Sequence, residues 1–228
     1  MENKIWYLKQ INILKSLSEK ELMTLGAQCP MILYKRGEHV YIQEGDANIY
    51  FIKSGSIKVV VLTEEGSEQI KEIIEAGEIF GRFIDAVSDQ QEQVVAVEDC
   101  MVCYLPFTNW RNFIKESAAL SYSFIKWIGL RIKKMERKMD SLYFKNSRQR
   151  IAESLQDIIQ RFGKPDAEGN TVLNLNLTHD EMAQLTGTSR QSVNMFMNEL
   201  RDKGWIDYRR NKLVVKPAFP LNDISALS

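Results

Sequence analysis

The sequence predicts an α+β fold in which a β-rich N-terminal half precedes a long helix, two short helices and a C-terminal hairpin. Three observations support this prediction. Short apolar segments of period two fill residues 31–105, where glycines recur roughly every ten residues. Apolar residues with near-heptad spacing then run through residues 120–142. Two short amphipathic segments flank Gly187.

The first part of the chain is predicted to be helical up to about residue 27, where Ser18 and Glu21 have the spacing of a capping box. The strands that follow are short and bounded by turns, which is typical of a small barrel or a double-sheet jelly roll. Pro106 ends the last of them. The predicted strands are His39–Gln43, Ile49–Lys53, Ile57–Leu62, Gln69–Glu75, Val94–Val97 and Met101–Leu105.

A short helix over Phe107–Ile114 leads into a long helix predicted from Ser117 to Lys145. Its apolar stripe is similar to the seam of a two-stranded coiled coil. The stripe could instead pack only on the chain's own β-rich domain. We favour a dual role, in which one face of the helix contacts that domain and another contacts a second subunit. The predicted dimer interface consists of Leu120, Phe124, Ile128, Ile132, Met135 and Met139.

Residues 177–200 predict a helix-turn-helix. Thr178 and Glu181 form a second capping box, Gly187 supplies a turn with positive φ, and Ser189 can cap the next helix. Long side chains on the outer face of that helix can reach base edges in a major groove. An αα-corner that only packs is the alternative. The predicted base-reading residues are Arg190, Gln191, Asn194 and Met195.

Two short strands, Gly204–Tyr208 and Lys212–Val215, follow on either side of a basic turn that contains Arg209 and Arg210. This pattern is typical of the wing of a winged helix-turn-helix, although a two-stranded hairpin can equally be scaffolding. The helix-turn-helix and the wing together indicate binding to duplex DNA.

The composition, with 44% hydrophobic and 26% charged residues, is that of a globular chain rather than a disordered one. The net charge is zero, but residues 1–116 carry 12 Lys or Arg and 18 Asp or Glu, whereas residues 117–228 carry 18 and 12. A basic C-terminal half suits contact with phosphates. No signal-peptide pattern is found and no apolar run approaches the length of a membrane span, so we expect a cytoplasmic protein without a membrane partner.

In this order, these elements resemble the cyclic-AMP receptor protein/FNR superfamily of bacterial transcription regulators, over nearly the whole chain. The resemblance implies a double-stranded β-helix (a cyclic-nucleotide-binding-like β-roll) in residues 1–116, a dimerisation helix in 117–145 and a winged helix-turn-helix DNA-binding domain in 146–228. The motifs that carry it are Lys35-Arg36-Gly37-Glu38, Glu44-Gly45-Asp46, Tyr50-Phe51-Ile52 with Ser54-Gly55, Gly77-Glu78-Ile79-Phe80-Gly81 and Gly187-x-Ser189-Arg190.

The resemblance further implies a homodimer on a pseudo-palindromic operator in duplex DNA, and it allows a contact with RNA polymerase. Arg190 would read a base, most naturally guanine. The residues that would hold phosphates are Thr178, Ser189, Ser192, Arg209 and Arg210.

The chain departs from the superfamily where members bind cyclic nucleotides. It has Gly81-Arg82 in place of Gly-Glu, Gln90-Gln91-Glu92 in place of Arg-Ser, and Met135-Glu136 in place of hydroxyls that bind adenine. A cyclic phosphate beside Glu92 would be poorly neutralised, although Arg82 could compensate from the other side. Cyclic AMP is therefore not expected, the effector is unidentified, and a cyclic-nucleotide-responsive regulator with an atypical pocket is the alternative. The candidate effector pocket comprises Gly81, Arg82, Gln91, Glu92, Met135 and Glu136.

The cysteine and histidine content argues against metal chemistry. Iron–sulfur members need about four cysteines, and only Cys29 lies near the N-terminus, so no such cluster is expected. Cys100 and Cys103 point to opposite faces of a predicted strand, as ordinary strand residues do. A cupin-like metalloenzyme would cluster several histidines, whereas the chain has two, so we expect no metal site and no enzyme. A protein that has lost DNA binding is a further alternative, which Arg190 and the basic wing oppose.

Overall fold

The computed structural model describes residues 7–40, 48–62, 68–81, 83, 92–173, 175, 177–209, 212–221 and 227. The chain divides into two compact units, Met1–Lys134 and Met135–Ser228, and the division falls within a long helix. None of the described helices is long and apolar enough to cross a membrane.

The first unit contains two antiparallel sheets, which confirms the predicted double-sheet roll. One sheet has the strand order β1-β7-β2-β5 and the other β4-β3-β6. The strands are β1 Met31–Tyr34, β2 Asn48–Ser54, β3 Ser56–Leu62, β4 Glu68–Glu75, β5 Ile79–Gly81, β6 Glu92–Ala96 and β7 Cys100–Pro106. The sequence did not predict β1 and β5 as separate strands. His39 forms only an isolated bridge to Val95, and the rest of the strand predicted over His39–Gln43, beyond Val40, lies outside the described residues.

Apolar residues cover both faces of the first sheet. One cluster lies between the two sheets and includes the stacked rings of Tyr50 and Phe80, whose centroids are 4.8 Å apart. A second cluster on the outer face of the sheet includes Phe51. Cys100 belongs to the first cluster and Cys103 to the second, so the prediction that they point to opposite faces of a strand is confirmed.

The helices of the first unit pack against the second of these clusters. They are α1 Glu19–Gln28, α2 Phe107–Glu116 and the first part of α3 Ala118–Phe144. Ser18 and Glu21 form the predicted capping box at the start of α1. At the start of α3, the backbone N–H of Leu120 donates to Ser117 Oγ (3.3 Å), which satisfies one of the first amides of the helix.

The predicted dimer interface is wrong at its N-terminal end. Leu120 is completely buried in the chain's own core, and the Phe124 ring packs edge-on against Trp110 with centroids 5.6 Å apart. Leu120 therefore has no surface left for a second subunit, and the partly buried Phe124 lies on the face of α3 that packs against the chain's own core. The other predicted interface residues are exposed by between 37% and 62%: Ile128, Ile132, Met135 and Met139.

Besides the end of α3, the described residues of the second unit form three helices and a four-stranded sheet. The helices are α4 Ser147–Phe162, α5 His179–Thr186 and α6 Arg190–Asp202. The strands are β8 Gly163–Pro165, β9 Thr171–Leu173, β10 Ile206–Arg209 and β11 Lys212–Val215, in the order β10-β11-β9-β8. The strands β8 and β9, which the sequence did not predict, pair with each other after α4. β11 also pairs with β9, so the hairpin of β10 and β11 is one side of a larger sheet.

We predict that Leu120→Ala lowers the free energy of unfolding of the first unit by about 2–5 kcal/mol, because it leaves a cavity in a filled core. Leu130→Ala is the matched control: Leu130 lies on the same helix but is 60% exposed, so its change should be within about 0.5 kcal/mol. Urea denaturation followed by tryptophan fluorescence measures both values. Equal losses in the two variants would contradict the burial of Leu120.

Candidate nucleic-acid interface

The helix-turn-helix consists of α5, a tight turn and α6. Thr178 caps α5 and forms the predicted capping box with Glu181. Gly187 ends α5 in the left-handed region with φ 60° and ψ 42°, a conformation that glycine adopts without strain. Ser189 caps α6 through the backbone N–H of Ser192 (3.1 Å). These local predictions are confirmed.

A guanidinium clamp, which the sequence analysis missed, holds the turn. Arg150 of α4 donates from Nε to the carbonyl of Thr186 and from Nη2 to the carbonyl of Gly187, at 2.9 Å each. Its Nη1 donates to the carbonyl of Lys145 (2.8 Å). A cation at the C-terminal carbonyls of α5 is favourable because that end of a helix carries partial negative charge. The clamp fixes α4 against the turn between α5 and α6.

The two faces of α6 differ sharply in burial. Val193, Phe196, Met197 and Leu200 are buried, as predicted. The opposite face presents the four predicted base-reading side chains to solvent, and Met195 among them is 65% exposed. An apolar core face and an exposed row of long donors is the arrangement that a recognition helix needs. The exposed residues are Arg190, Gln191, Asn194 and Met195.

The hydroxyl groups predicted to bind phosphates differ in whether they still have a proton free to donate. Ser189 Oγ and Ser192 Oγ are 2.9 Å apart, so one hydroxyl donates to the other and one proton remains for a phosphate. That proton lies at the N-terminus of α6, where backbone amides also favour an anion. Thr178 Oγ1, by contrast, donates to Glu181 Oε2 (3.1 Å), so its proton is used within the capping box.

Of the two wing arginines, the structure describes Arg209, and Arg210 lies outside the described residues. Arg209 forms a two-pronged ion pair with Glu168, with N–O distances of 2.9 and 3.2 Å. The hydrogen bonds from Arg209 lower the pKa of the Glu168 carboxyl. Both side chains are about half exposed and such pairs contribute little to stability, so a phosphate can compete for Arg209.

A second ion-pair network, also missed by the sequence analysis, links α4 to α6. Arg148 donates to both carboxyl oxygens of Glu199, at 2.6 and 2.8 Å, and Lys203 donates to the same carboxyl at 2.8 Å. The hydrogen bonds from Arg148, followed by those from Lys203, lower the pKa of Glu199 to about 2. Arg148 and Glu199 are 51 residues apart in the chain. The four-residue spacing that reveals an ion pair within one helix therefore cannot reveal this one.

Of the six predicted effector residues, the structure describes four, two in each unit. Gly81 ends β5, where a Cβ would overlap the carbonyl of Asn48. Glu92 begins β6 and forms an ion pair with Lys71 of β4. Met135 and Glu136 are exposed and belong to the second unit. Arg82 and Gln91 lie outside the described residues.

Two family models match the chain. One is described as a cyclic nucleotide-binding domain and matches residues 31–117; the other is described as a Crp-like helix-turn-helix domain and matches residues 149–218. The two domains found in the structure therefore correspond to two known domain families.

Relatives of known function match over most of their length. The CRP-like cAMP-activated global transcriptional regulator of Mycobacterium tuberculosis is 23% identical over 201 residues, which cover 87% of this chain and 89% of that protein. The global nitrogen regulator of a Nostoc species is 25% identical over 198 residues, covering 85% and 88%. Both are transcription regulators and not enzymes.

Among solved structures, that of a CooA mutant from Carboxydothermus hydrogenoformans superimposes with a TM-score of 0.68 at 25% identity. The match covers 96% of this chain and 93% of the CooA chain. The similarity confirms the fold class: a β-roll, a long helix and a C-terminal helix-turn-helix domain.

Proposed function

Because the chain belongs to the cyclic-AMP receptor protein/FNR superfamily of DNA-binding transcription regulators, we propose that it acts as a homodimer on a pseudo-palindromic operator. In this proposal the β-roll responds to a signal and repositions the DNA-binding domains. The observation that carries the proposal is the exposed polar row on α6, backed by a fully buried apolar face.

The side chains of that row favour a half-site with one guanine and otherwise A·T character. The Arg190 guanidinium matches guanine O6 and N7, and the amide of Gln191 matches adenine N6 and N7. Asn194 adds a second amide of the same kind. Met195 has no donor, so its exposed apolar end suits a thymine methyl group.

Phosphate contacts flank this row in the proposal. The free hydroxyl proton of the Ser189–Ser192 pair and the α6 amides would hold one phosphate. Arg209 would exchange Glu168 for a second phosphate, and Arg210 would contact the backbone beside it. Such contacts position the protein on DNA and carry no sequence information themselves.

Six of the exposed apolar residues of α3 support the homodimer. They recur at spacings of 3, 4, 3, 4 and 3, which is the strict heptad pattern of a two-stranded coiled coil. A two-fold axis along this seam would present two recognition helices about 34 Å apart to successive major grooves. The corrected seam consists of Ile125, Ile128, Ile132, Met135, Met139 and Leu142.

The signal is proposed to be something other than cyclic AMP. Cyclic-nucleotide-binding members carry Arg-Ser where this chain has Gln90-Gln91-Glu92, and the Glu92 carboxylate, which is paired with Lys71, would repel a phosphate. A second candidate function is a cyclic-nucleotide-responsive regulator with an atypical pocket, which the match to a cyclic nucleotide-binding domain favours.

We predict that Arg190→Ala costs about 1–3 kcal/mol on the specific site and removes the preference at one base pair. Arg209→Ala should weaken all sequences alike and lower the salt slope by about one, because it removes a phosphate contact. Randomised-site selection and salt titration with the wild type and both variants measure these effects. A G·C-rich half-site, or an unchanged preference in Arg190→Ala, would contradict the assignment.

We predict that Ile128→Glu combined with Ile132→Glu gives monomers with much weaker operator binding, since two buried charges per chain would face each other across the seam. Leu130→Glu is the matched control and should remain dimeric, because Leu130 is exposed on another side of α3. Sedimentation equilibrium measures the mass. A dimer that survives the double change would disprove the seam.

We predict that cyclic AMP and cyclic GMP bind no more tightly than roughly millimolar, about −4 kcal/mol. Calorimetric titration of the full-length protein measures this. A micromolar dissociation constant for either nucleotide would favour the second candidate function.

A further inference from the structure

A cleft of about 420 Å³ lies in the first unit, between three segments that hydrogen bonds hold together. The N-terminal turn is joined to the turn before β5 by the backbone N–H of Asn12, which donates to the carbonyl of Gly77 (2.9 Å). It is joined to α3 through the hydroxyls of Ser16 and Ser123, 2.8 Å apart. The volume lies within the range of about 300–1,000 Å³ that is typical of small-molecule sites.

The lining of the cleft carries an excess of positive charge. It contains four cations, from Lys15, Lys126, Arg131 and Lys134, and one carboxylate, from Glu78. Behind the lining, Glu72 forms an ion pair with Arg131 and lies 3.9 Å from Lys134. Four cations against two carboxylates leave two positive charges uncompensated. We call this site the cationic cleft.

Two of these cations are available to a ligand. Lys126 is exposed and forms no ion pair with any residue in the described ranges. Lys15 donates to Asn12 Oδ1 (2.8 Å), a neutral acceptor that orients the ammonium group without neutralising it. An anion that enters the cleft therefore gains charge-assisted hydrogen bonds without first breaking ion pairs of these two lysines.

The cationic cleft also has an apolar side. Leu130 is 60% exposed within its lining, and Trp127 borders the cleft one helical turn away, with its ring already packed against Phe83, Phe124 and the Arg131 guanidinium. Leu130 is two residues from both Ile128 and Ile132, which is about 200° around the helix axis. The proposed dimer seam therefore cannot cover Leu130, whereas a bound ring would.

We propose that the cationic cleft binds an organic phosphate that carries a planar ring. The ring would lie against Leu130 and Trp127, and the phosphate would accept hydrogen bonds from the lysines. A phosphate monoester carries about −1.5 to −2 charges at pH 7, which matches the uncompensated charge of the site. This ligand class is distinct from a cyclic monophosphate, which carries a single negative charge.

Occupancy of the cleft would act on α3, if the proposed function is correct. A ligand held by the N-terminal turn, the turn before β5 and α3 at once stabilises the placement of α3 in which all three contacts are made. Because α3 also carries the proposed seam, binding in the cationic cleft would change operator affinity. This regulatory role rests on the proposed function, whereas the binding site does not.

The test uses pyridoxal 5′-phosphate, a planar ring with a phosphate and an aldehyde, on the full-length protein. Its aldehyde condenses with a lysine amine with loss of water, borohydride reduces the imine, and mass spectrometry locates the label. We expect saturable labelling at Lys126, Lys134 or Lys15, protection by inorganic phosphate, and much weaker labelling by pyridoxal, which lacks the phosphate.

Two charge reversals on α3 make the test specific. Lys126→Glu should weaken binding of the probe by about tenfold or more. Lys133→Glu, the same change at an exposed lysine outside the cleft, should alter it by less than about twofold. Labels scattered over surface lysines, or equal effects of the two variants, would overturn the site.

Operator affinity is measured separately, with and without the probe. An unchanged operator affinity with saturable labelling would overturn the regulatory role and leave the binding site in place. A protein that binds the probe but no DNA would instead contradict the proposed function.

Discussion

The rotation of α3 about its own axis is the constraint on which the rest of the first unit depends. Burial of Leu120 and the ring contacts of Phe124 with Trp110 hold one face of the helix against the roll. Each such side chain contributes roughly 1.5–3 kcal/mol on burial, so rotating the helix would lose more free energy than a surface contact could supply. With this face fixed, the exposed heptad residues and the cationic cleft must lie on different sides of the same helix.

The DNA-binding unit is organised by an equivalent local constraint, the geometry of the turn between α5 and α6. Gly187 permits the turn, and the Arg150 clamp holds it against α4. The apolar face of α6 is then buried, which leaves its polar row pointing away from the core. The Arg148–Glu199 pair adds orientation more than stability, because exposed ion pairs contribute little.

Features set by neighbouring residues could be predicted from the sequence, whereas features set by residues distant in the chain could not. The capping boxes of Ser18 and Thr178 were predicted correctly, and the one at Asn146 has the same three-residue spacing to Gln149 and could have been recognised. The strands β1, β5, β8 and β9 were missed as separate strands because three or four residues are too few to show a period of two. Leu120 and Phe124 were assigned to the wrong partner, since heptad spacing shows that a face is apolar but not what covers it.

The sequence by itself determined the order of the elements, the helix boundaries set by caps and glycines, and the chemistry of the α6 row. Hydrogen bonds within one or two turns and the alternation of apolar residues decide these features, and both are local. Only the tertiary structure decided which face of α3 packs on the roll, that Arg150 and Arg148 bind α4 to the helix-turn-helix, and that Arg209 is paired with Glu168. It also brought Lys15, from the N-terminal turn, beside the three cations of α3 that line the cleft. Those choices depend on burial and charge between residues that are distant in sequence, for which spacing along the chain carries no signal.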